Sequence, residues 1–310
     1  MRDRPLPRYL FVDLDDTFTV RGRLHPDVLE AVERASQAGI EVILNTGRPA
    51  GYGAALLGYL PGISAAVVEN GGAWLDRKAP PPSASTPASG GLYASGPPSA
   101  RTPLPLPPGA VTPHDPHEVP LQLFRPYPTD LRTKLAALRQ RVARRLGIAL
   151  VATADNTYRV TDHTALRQLP PGPDGLALLQ ALAEVTVQES DGQGRLLASS
   201  IHLHFMLDGE TARSKAVGAE ALLLRRGVPD PAAELRLHAV AVGDSANDIS
   251  LFTPGRFALS VGVRNIERHL PELGDSRPTH ITRAAEGLGL CELIEDLLGG
   301  RLNVSAADPS

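Results

Sequence analysis

Apolar residues come in short unbroken runs near both ends of the chain: Tyr9-Leu10-Phe11-Val12, Val42-Ile43-Leu44, Ala65-Ala66-Val67-Val68 and Val240-Ala241-Val242. Runs this short, without a polar break, read as strands buried on both faces. Between the first two, Val28, Leu29, Val32 and Ala35 recur at helical spacing behind Pro26-Asp27, and Gly39 ends the run. Phe257 to Val261 and Thr279 to Thr282 read as further short strands, closed by a helix over Glu286 to Leu298. Strands alternating with helices predict an α/β fold, a parallel sheet with helices on both faces. The third run ends at Glu69-Asn70-Gly71-Gly72, whose Asn-Gly pair predicts a hairpin into Ala73-Trp74-Leu75.

The middle of the chain breaks this rhythm. Residues 78–117 hold 12 of the 29 prolines and too little apolar periodicity for a packed element, so an irregular excursion is expected. Beyond it, Leu131, Leu135, Leu138, Val142 and Leu146 mark an amphipathic helix, with Arg132, Arg139, Arg141, Arg144 and Arg145 on its other face. A strand pair, Ile148 to Thr153 and Thr157 to Thr161, is expected across Asp155-Asn156. A helix near Asp174 to Glu184 follows, then strands at Val185 to Glu189 and Leu196 to Leu207 across Asp191-Gly192-Gln193-Gly194.

The candidate chemistry sits where the buried runs end. Asp13-Leu14-Asp15-Asp16-Thr17 puts two carboxylates two residues apart at the C-terminal end of the first strand, the edge where open α/β sheets bind ligands. Acids packed there need a cation or a proton. The second strand ends in Asn45-Thr46-Gly47-Arg48, Ser214-Lys215 opens a helical pattern, and the Val240 run leads into Gly243-Asp244-Ser245-Ala246-Asn247-Asp248. Each piece also has a plain structural reading: a turn, a solvated lysine, or helix-capping residues before Ile249, Leu251 and Phe252.

Taken in order, the carboxylate pair, hydroxyl, lysine and second acidic cluster resemble the four motifs of the haloacid dehalogenase-like (HAD) phosphatase superfamily. The resemblance implies a Rossmann-like core over residues 1–75 and 207–310. An α+β cap would occupy residues 76–206, in the position of the C2 cap of the Cof-like and sugar-phosphate phosphatase branch, type IIB. Only 28 residues separate Thr17 from Thr46, and a core helix uses most of them, which excludes a cap after the first motif.

The resemblance further implies that Asp13 attacks phosphorus to form an aspartyl-phosphate and that Asp15 acts as general acid and base. Thr46, the Gly47 amide, Lys215 and Asn247 would bind phosphate. Magnesium would be held by the Asp13 carboxylate, the Asp15 carbonyl and Asp244, with Asp248 behind them. Asp16 departs from the pattern, since relatives often carry Gly there. Arg48 and Asn70 flank the site in the family pattern and are candidate substrate contacts.

Specificity would come from the cap. In Ile201-His202-Leu203-His204-Phe205-Met206-Leu207 the period of two sets His202 and His204 opposite the aliphatic residues, and Arg159 alternates with Tyr158 and Val160. Arg159, His202 and His204 are therefore candidate contacts to the non-phosphate part of the substrate, the alternative being a polar exposed sheet face. A zinc site on the two histidines lacks a third ligand at suitable spacing.

Composition narrows the function classes. A net charge of −3 with pI near 6.3 gives no electrostatic case for nucleic acid. The single cysteine, Cys291, cannot form an internal disulfide. No run approaches the roughly 18 apolar residues of a membrane span, and Met1 to Pro5 carry no secretory core, so a cytoplasmic protein without membrane partners is expected.

The expected activity is magnesium-dependent hydrolysis of a small phosphorylated metabolite, a sugar phosphate or a phosphoglycerate-type ester. Alternatives are a phosphomutase using the same aspartyl-phosphate and a non-catalytic sensor retaining the fold. Dehalogenation is disfavoured by the second acid, Asp15. Gly51-Tyr52-Gly53 lacks the third glycine of a dinucleotide loop, and no Walker-type lysine loop is present.

Overall fold

The computed structural model describes residues 6–78, 119, 121–208, 212–302 and 304. Apart from Lys78, the proline-rich stretch 78–117 lies outside the described residues.

The N-terminal part runs β1 (Tyr9–Val12), α1 (Pro26–Gln37), β2 (Glu41–Asn45), α2 (Ala50–Tyr59), β3 (Ile63–Val68) and β4 (Ala73–Asp76). A short strand, β5 (Leu121–Leu123), returns to the same sheet. There follow α3 (Leu131–Leu146), β6 (His163–Leu166), α4 (Pro173–Gln188), β7 (Gly194–Ala198) and β8 (His202–Leu207). The C-terminal part supplies α5 (Lys215–Arg225), α6 (Pro231–His238), β9 (Ala239–Gly243), β10 (Leu259–Gly262), α7 (Leu270–Leu273), β11 (His280–Ile281) and α8 (Glu286–Leu298).

Eight strands form one sheet in the order β11-β10-β9-β1-β2-β3-β4-β5, parallel except where β4 and β5 pair antiparallel at one edge. Although β1 is buried along its whole length, its side chains still divide by alternation. Leu10 and Val12 pack with Val28, Val32, Leu57, Leu290 and Ile294 of α1, α2 and α8. Tyr9 and Phe11 pack with Ala216, Ala219, Leu222 and Leu235 of α5 and α6. Each fully buried side chain of this size contributes about 1.5–3 kcal/mol, so both faces of the sheet are held.

The inserted unit has its own core. Leu131, Leu135, Leu138 and Val142 of α3 and Leu182 and Val185 of α4 cover one face of a second, antiparallel sheet, β6-β8-β7, against Leu196, Leu203 and Phe205. This is the α+β cap on a parallel-sheet core that the motifs imply. Leu121–Leu123, assigned from sequence to the insertion 76–206, instead extends the main sheet through β4.

Three local readings are corrected. The strand pair across Asp155-Asn156 is reduced to a single bridge, Ala152 with Ala165: residues Ala154–Tyr158 form a 3₁₀ turn and the strand begins at His163. Asn156 holds this turn, because its amide donates to the carbonyls of Thr153 and Thr164 and accepts from the Thr164 N–H, taking a bond that a longer strand pair would make. Val185 to Glu189 is not a strand but the end of α4, since Leu182, Val185 and Thr186 keep helical spacing on its buried face. The hairpin in Leu196 to Leu207 turns at residues 199–201, between β7 and β8, rather than at residues 191–194.

The Asn-Gly hairpin between β3 and β4 forms as expected, through three successive residues with positive φ, Glu69, Asn70 and Gly71. At Gly71 (φ 88°) an added Cβ would stand 2.1 Å from the Ser214 carbonyl oxygen, directly before Lys215. Gly71→Ala combines left-handed strain with a backbone clash, so it should lower stability by roughly 3 kcal/mol. A urea melt beside wild type measures the loss.

Candidate active site

The sheet order places β1 at the switch point, with β2 and β3 on one side and β9 and β10 on the other. Val12 pairs with Leu44 of β2 and with Val242 of β9, so the residues just beyond these three strands meet at one edge. Those residues are Asp13, Thr46 and Asp244. The Asp13 amide donates to the Val242 carbonyl (3.0 Å) and the Thr46 amide to that of Val67 (2.8 Å), fixing both side chains at the mouth of the sheet.

Lys215, the first residue of α5, is fully buried. Its Nζ donates to Asp13 Oδ1 and to Asp248 Oδ1, each at 2.6 Å. Burial alone would favour a neutral amine, but the two carboxylates outweigh it and raise the lysine above its ordinary pKa. For Asp13 the balance is reversed. Burial pushes it up to about 7, Lys215 pulls the other way, and Asp248 and Asp15 add repulsion. Asp244 is also raised by burial and by Asp13. Two buried acids that resist ionisation beside a single lysine form a site short of positive charge.

Asp248 is a positioning group. Its Oδ1 holds Lys215 while its Oδ2 accepts from the amides of Asp244 (3.0 Å) and Ser245 (3.1 Å), a capping box that shapes the acidic loop. Asp16, where relatives often carry Gly, has φ 54°. Asp is among the few residues that occupy this region at low cost, so the departure keeps the backbone shape.

Arg48 forks onto Asp15, Nε to Oδ2 at 2.6 Å and Nη2 to Oδ1 at 2.7 Å, and its backbone amide donates to Thr46 Oγ1. Asn247 lines the cleft, accepts from Ser245 Oγ (2.6 Å) and donates to Asn70 Oδ1 (3.2 Å). Asn70 thus lies behind the cleft, packed against Asn247. A Cβ on Gly47 would come within 3.1 Å of His204, 3.2 Å of Asn70 and 3.3 Å of Asn247, so the loop after β2 is seated closely against all three.

From the cap, Ser199, Ser200, Ile201, His202 and His204 close over Asp13, Asp15, Gly47 and Arg48. Leu203 and Phe205 point into the cap core, as the alternation predicts. Burial pushes His202 down to about 4 and lowers His204 as well.

Arg159 does not face the cleft. Its alternation was read from a strand that does not form, and its guanidinium turns inward, 1% exposed, to Asp155 (2.8 Å), Asp162 (2.9 Å) and the Gly47 carbonyl (2.9 Å). It joins the cap to the core and holds the loop after β2.

Two residues went unread in the sequence. Glu69, fully buried at the end of β3, accepts from the amides of Ala50, Val160, Thr161 and Asp162 and from Thr161 Oγ1. A core carboxylate therefore binds a cap loop. Asn265 donates to Asp244 Oδ2 and to the Asp16 carbonyl, both at 3.0 Å, and accepts from the Glu286 amide. It ties the first acidic loop to the last. Neither stands in a motif; the only signal for Glu69 is its place beside the Asn-Gly turn.

Among the described residues, Asp13, Asp244 and Asp248 form the single group of three acids, histidines or cysteines able to share a metal, with carboxylate oxygens within 4.8 Å of one another. No such group includes His202 and His204. No helix among the described residues is long and apolar enough to cross a membrane.

No protein-family model matches the sequence, and no curated protein matches it significantly. Solved structures match along nearly the whole chain. A Thermoplasma acidophilum protein superposes with TM-score 0.61 at 14% identity, covering 95% of this chain and 99% of that one. A sucrose-phosphatase from Synechocystis, solved with sucrose and phosphate, gives TM-score 0.56 at 15% identity, covering 94% and 98%. A HAD subclass IIB sugar phosphatase gives TM-score 0.56 at 12% identity, covering 94% and 99%. With a switch-point carboxylate on a parallel sheet, an α+β cap over it and these neighbours, the chain has the fold of the HAD-like phosphatases of subclass IIB.

Proposed function

We propose that this protein is a magnesium-dependent phosphatase acting on a small phosphorylated metabolite, a sugar phosphate or phosphoglycerate-type ester, through an aspartyl-phosphate on Asp13. The observation that carries this reading is Lys215 Nζ, 2.6 Å from both Asp13 and Asp248 at the mouth of the sheet. A carboxylate can approach an anionic ester only where fixed positive charge offsets the repulsion. The neighbours, a sucrose-phosphatase solved with sucrose and phosphate and a subclass IIB sugar phosphatase, support a sugar-phosphate substrate.

The residues suit a hard cation. Their donors are all oxygens, and Asp13 and Asp244 are held above the ordinary carboxylate range, with Lys215 the one cation bonded to Asp13 among the described residues. Asp13, the Asp15 main-chain carbonyl and Asp244 would hold magnesium, with Asp248 behind them. Once bound, the metal would offset negative charge on the phosphoryl oxygens and on Asp13.

In this scheme Asp13 attacks phosphorus while Thr46, the Gly47 amide, Asn247 and Lys215 hold the phosphoryl oxygens. Asp15 gives a proton to the leaving oxygen, then takes one from the water that hydrolyses the acyl phosphate. The Arg48 fork on Asp15 means that substrate binding exchanges at least one of those bonds, and Arg48 is then placed to meet the substrate. The cytoplasm, where such metabolites and magnesium are found together, fits this chemistry.

Screening phosphorylated sugars, glycerates and nucleotides with and without magnesium tests the proposal. Release of inorganic phosphate from a sugar or glycerate ester, lost with a chelator, is the expected result; no release from any ester would refute it.

Linkage makes a second test. Burial raises Asp13 from about 3.8 to about 7 in the folded chain without metal, so across that window folded Asp13 keeps a proton that the unfolded chain gives up, and its contribution to stability falls as pH rises. Lowered histidines act in the opposite direction, so the comparison is with Asp13→Asn: relative to that variant, the chelated wild type should lose melting temperature between pH 5 and pH 8. Magnesium at pH 8 should recover the difference, because binding to the folded state adds stability. A melting temperature indifferent to magnesium would count against the metal site.

A further inference from the structure

His204 is buried in the cleft wall with one ring nitrogen paired and the other unpaired. Nδ1 lies 2.9 Å from Asp162 Oδ2, whereas Nε2 has no hydrogen-bond partner among the described residues. The carboxylate decides which nitrogen carries the proton. Burial would favour a neutral Asp162, but Arg159, bonded to both of its oxygens at 2.9 and 3.1 Å, and His204 outweigh this and keep it ionised. An ionised carboxylate only accepts, so Nδ1 holds the hydrogen and Nε2 presents a bare lone pair. Burial also favours the neutral ring.

An orphaned acceptor inside a ligand cleft specifies the chemistry of its partner. A lone pair repels phosphate oxygens, so Nε2 cannot serve the transferred group; it needs a donor from the rest of the substrate. The ring atom beside it, Cε1, is 3.1 Å from where a Cβ on Gly47 would stand. Gly47 belongs to the loop proposed to hold the phosphoryl oxygens, so the donor must lie near the ester linkage.

We propose that His204, fixed as an acceptor by Asp162, reads a substrate hydroxyl close to the esterified carbon, making polyhydroxylated phosphate esters the substrate class. This rests on the phosphatase reading and narrows it. Asp162 and Arg159 act as positioning residues, whereas His204 touches substrate.

The test uses the full chain with magnesium and three esters: the best sugar phosphate, the same compound lacking the hydroxyl next to the ester carbon, and p-nitrophenyl phosphate. His204→Ala should lower kcat/KM for the sugar phosphate about 10- to 100-fold, mainly through KM. The other two esters should change little. Asp162→Asn can donate to Nδ1 and so move the proton to Nε2, and it should erase the same preference while keeping the ring. Independently, ¹⁵N NMR of wild-type His204 should show Nδ1 protonated and Nε2 bare at neutral pH. Equal losses on all three esters, or a protonated Nε2, would overturn the inference while leaving the phosphatase intact. A wild-type chain inert toward every ester would overturn the phosphatase reading, and this one with it.

Discussion

Asp13→Asn is expected to lower kcat by at least about 10⁴-fold, the scale seen when a nucleophile that works as part of a unit is removed. The amide is nearly isosteric and poorly nucleophilic. Its effect on folding should be small, because the substitution removes an acid that burial already drives up to about 7. Lys215 keeps its bond to Asp248, so the cation does not become an orphan. Steady-state kinetics with circular dichroism and thermal melts would separate the two effects. An Asp13→Asn protein that turns over at a tenth of the wild-type rate would remove Asp13 from the chemistry.

Lys215→Met is expected to damage stability and activity together. The lysine is fully buried between two carboxylates, and removing one partner of a buried charge cluster typically costs about 3–5 kcal/mol because the remaining charges are left uncompensated. The direction with pH follows from the charges left behind. Asp13 and Asp244 without the lysine would hold protons more tightly when folded, so the deficit should narrow as pH falls and widen as pH rises. Magnesium should return part of the stability and little of the activity, since it replaces charge but not the donor to the phosphoryl oxygens. Urea titrations at two pH values, with and without magnesium, give the answer. Lys215→Arg serves as the variant that keeps the charge, and it should remain folded.

The core was legible because its signals are local. A strand buried on both faces announces itself as an unbroken apolar run, and the residue standing at its end is read directly from the next position, which is how Asp13, Thr46 and Asp244 were picked out as candidates. Parallel pairing then brings these ends together without further information.

The cap was legible only in part, since its errors come from side chains competing with backbone. Asn156 satisfies the groups of Thr153 and Thr164 and replaces a strand with a turn. That turn in turn carries Arg159 into the interior rather than the cleft. Val185 and Thr186, β-branched residues with strand propensity, are helical because the α4 face they belong to is buried against the cap sheet. Glu69 and Asn265 were missed for another reason: each acts across elements distant in sequence, Glu69 on residues 160–162 and Asn265 on Asp16, Asp244 and Glu286. Only the fold reveals such bridges. That His202 and His204 line the cleft could be read from the sequence because β8 is a regular strand, where alternation holds.

Covalent capture of the phosphoryl group tests the central claim most directly. Wild-type protein turning over its best phosphate ester with magnesium would be quenched in acid, digested and mapped by mass spectrometry. The account predicts a base-labile phosphoryl group on the peptide containing Asp13, absent when Asp13→Asn or a chelator is used. Rapid hydrolysis with the phosphoryl group on another residue would contradict it.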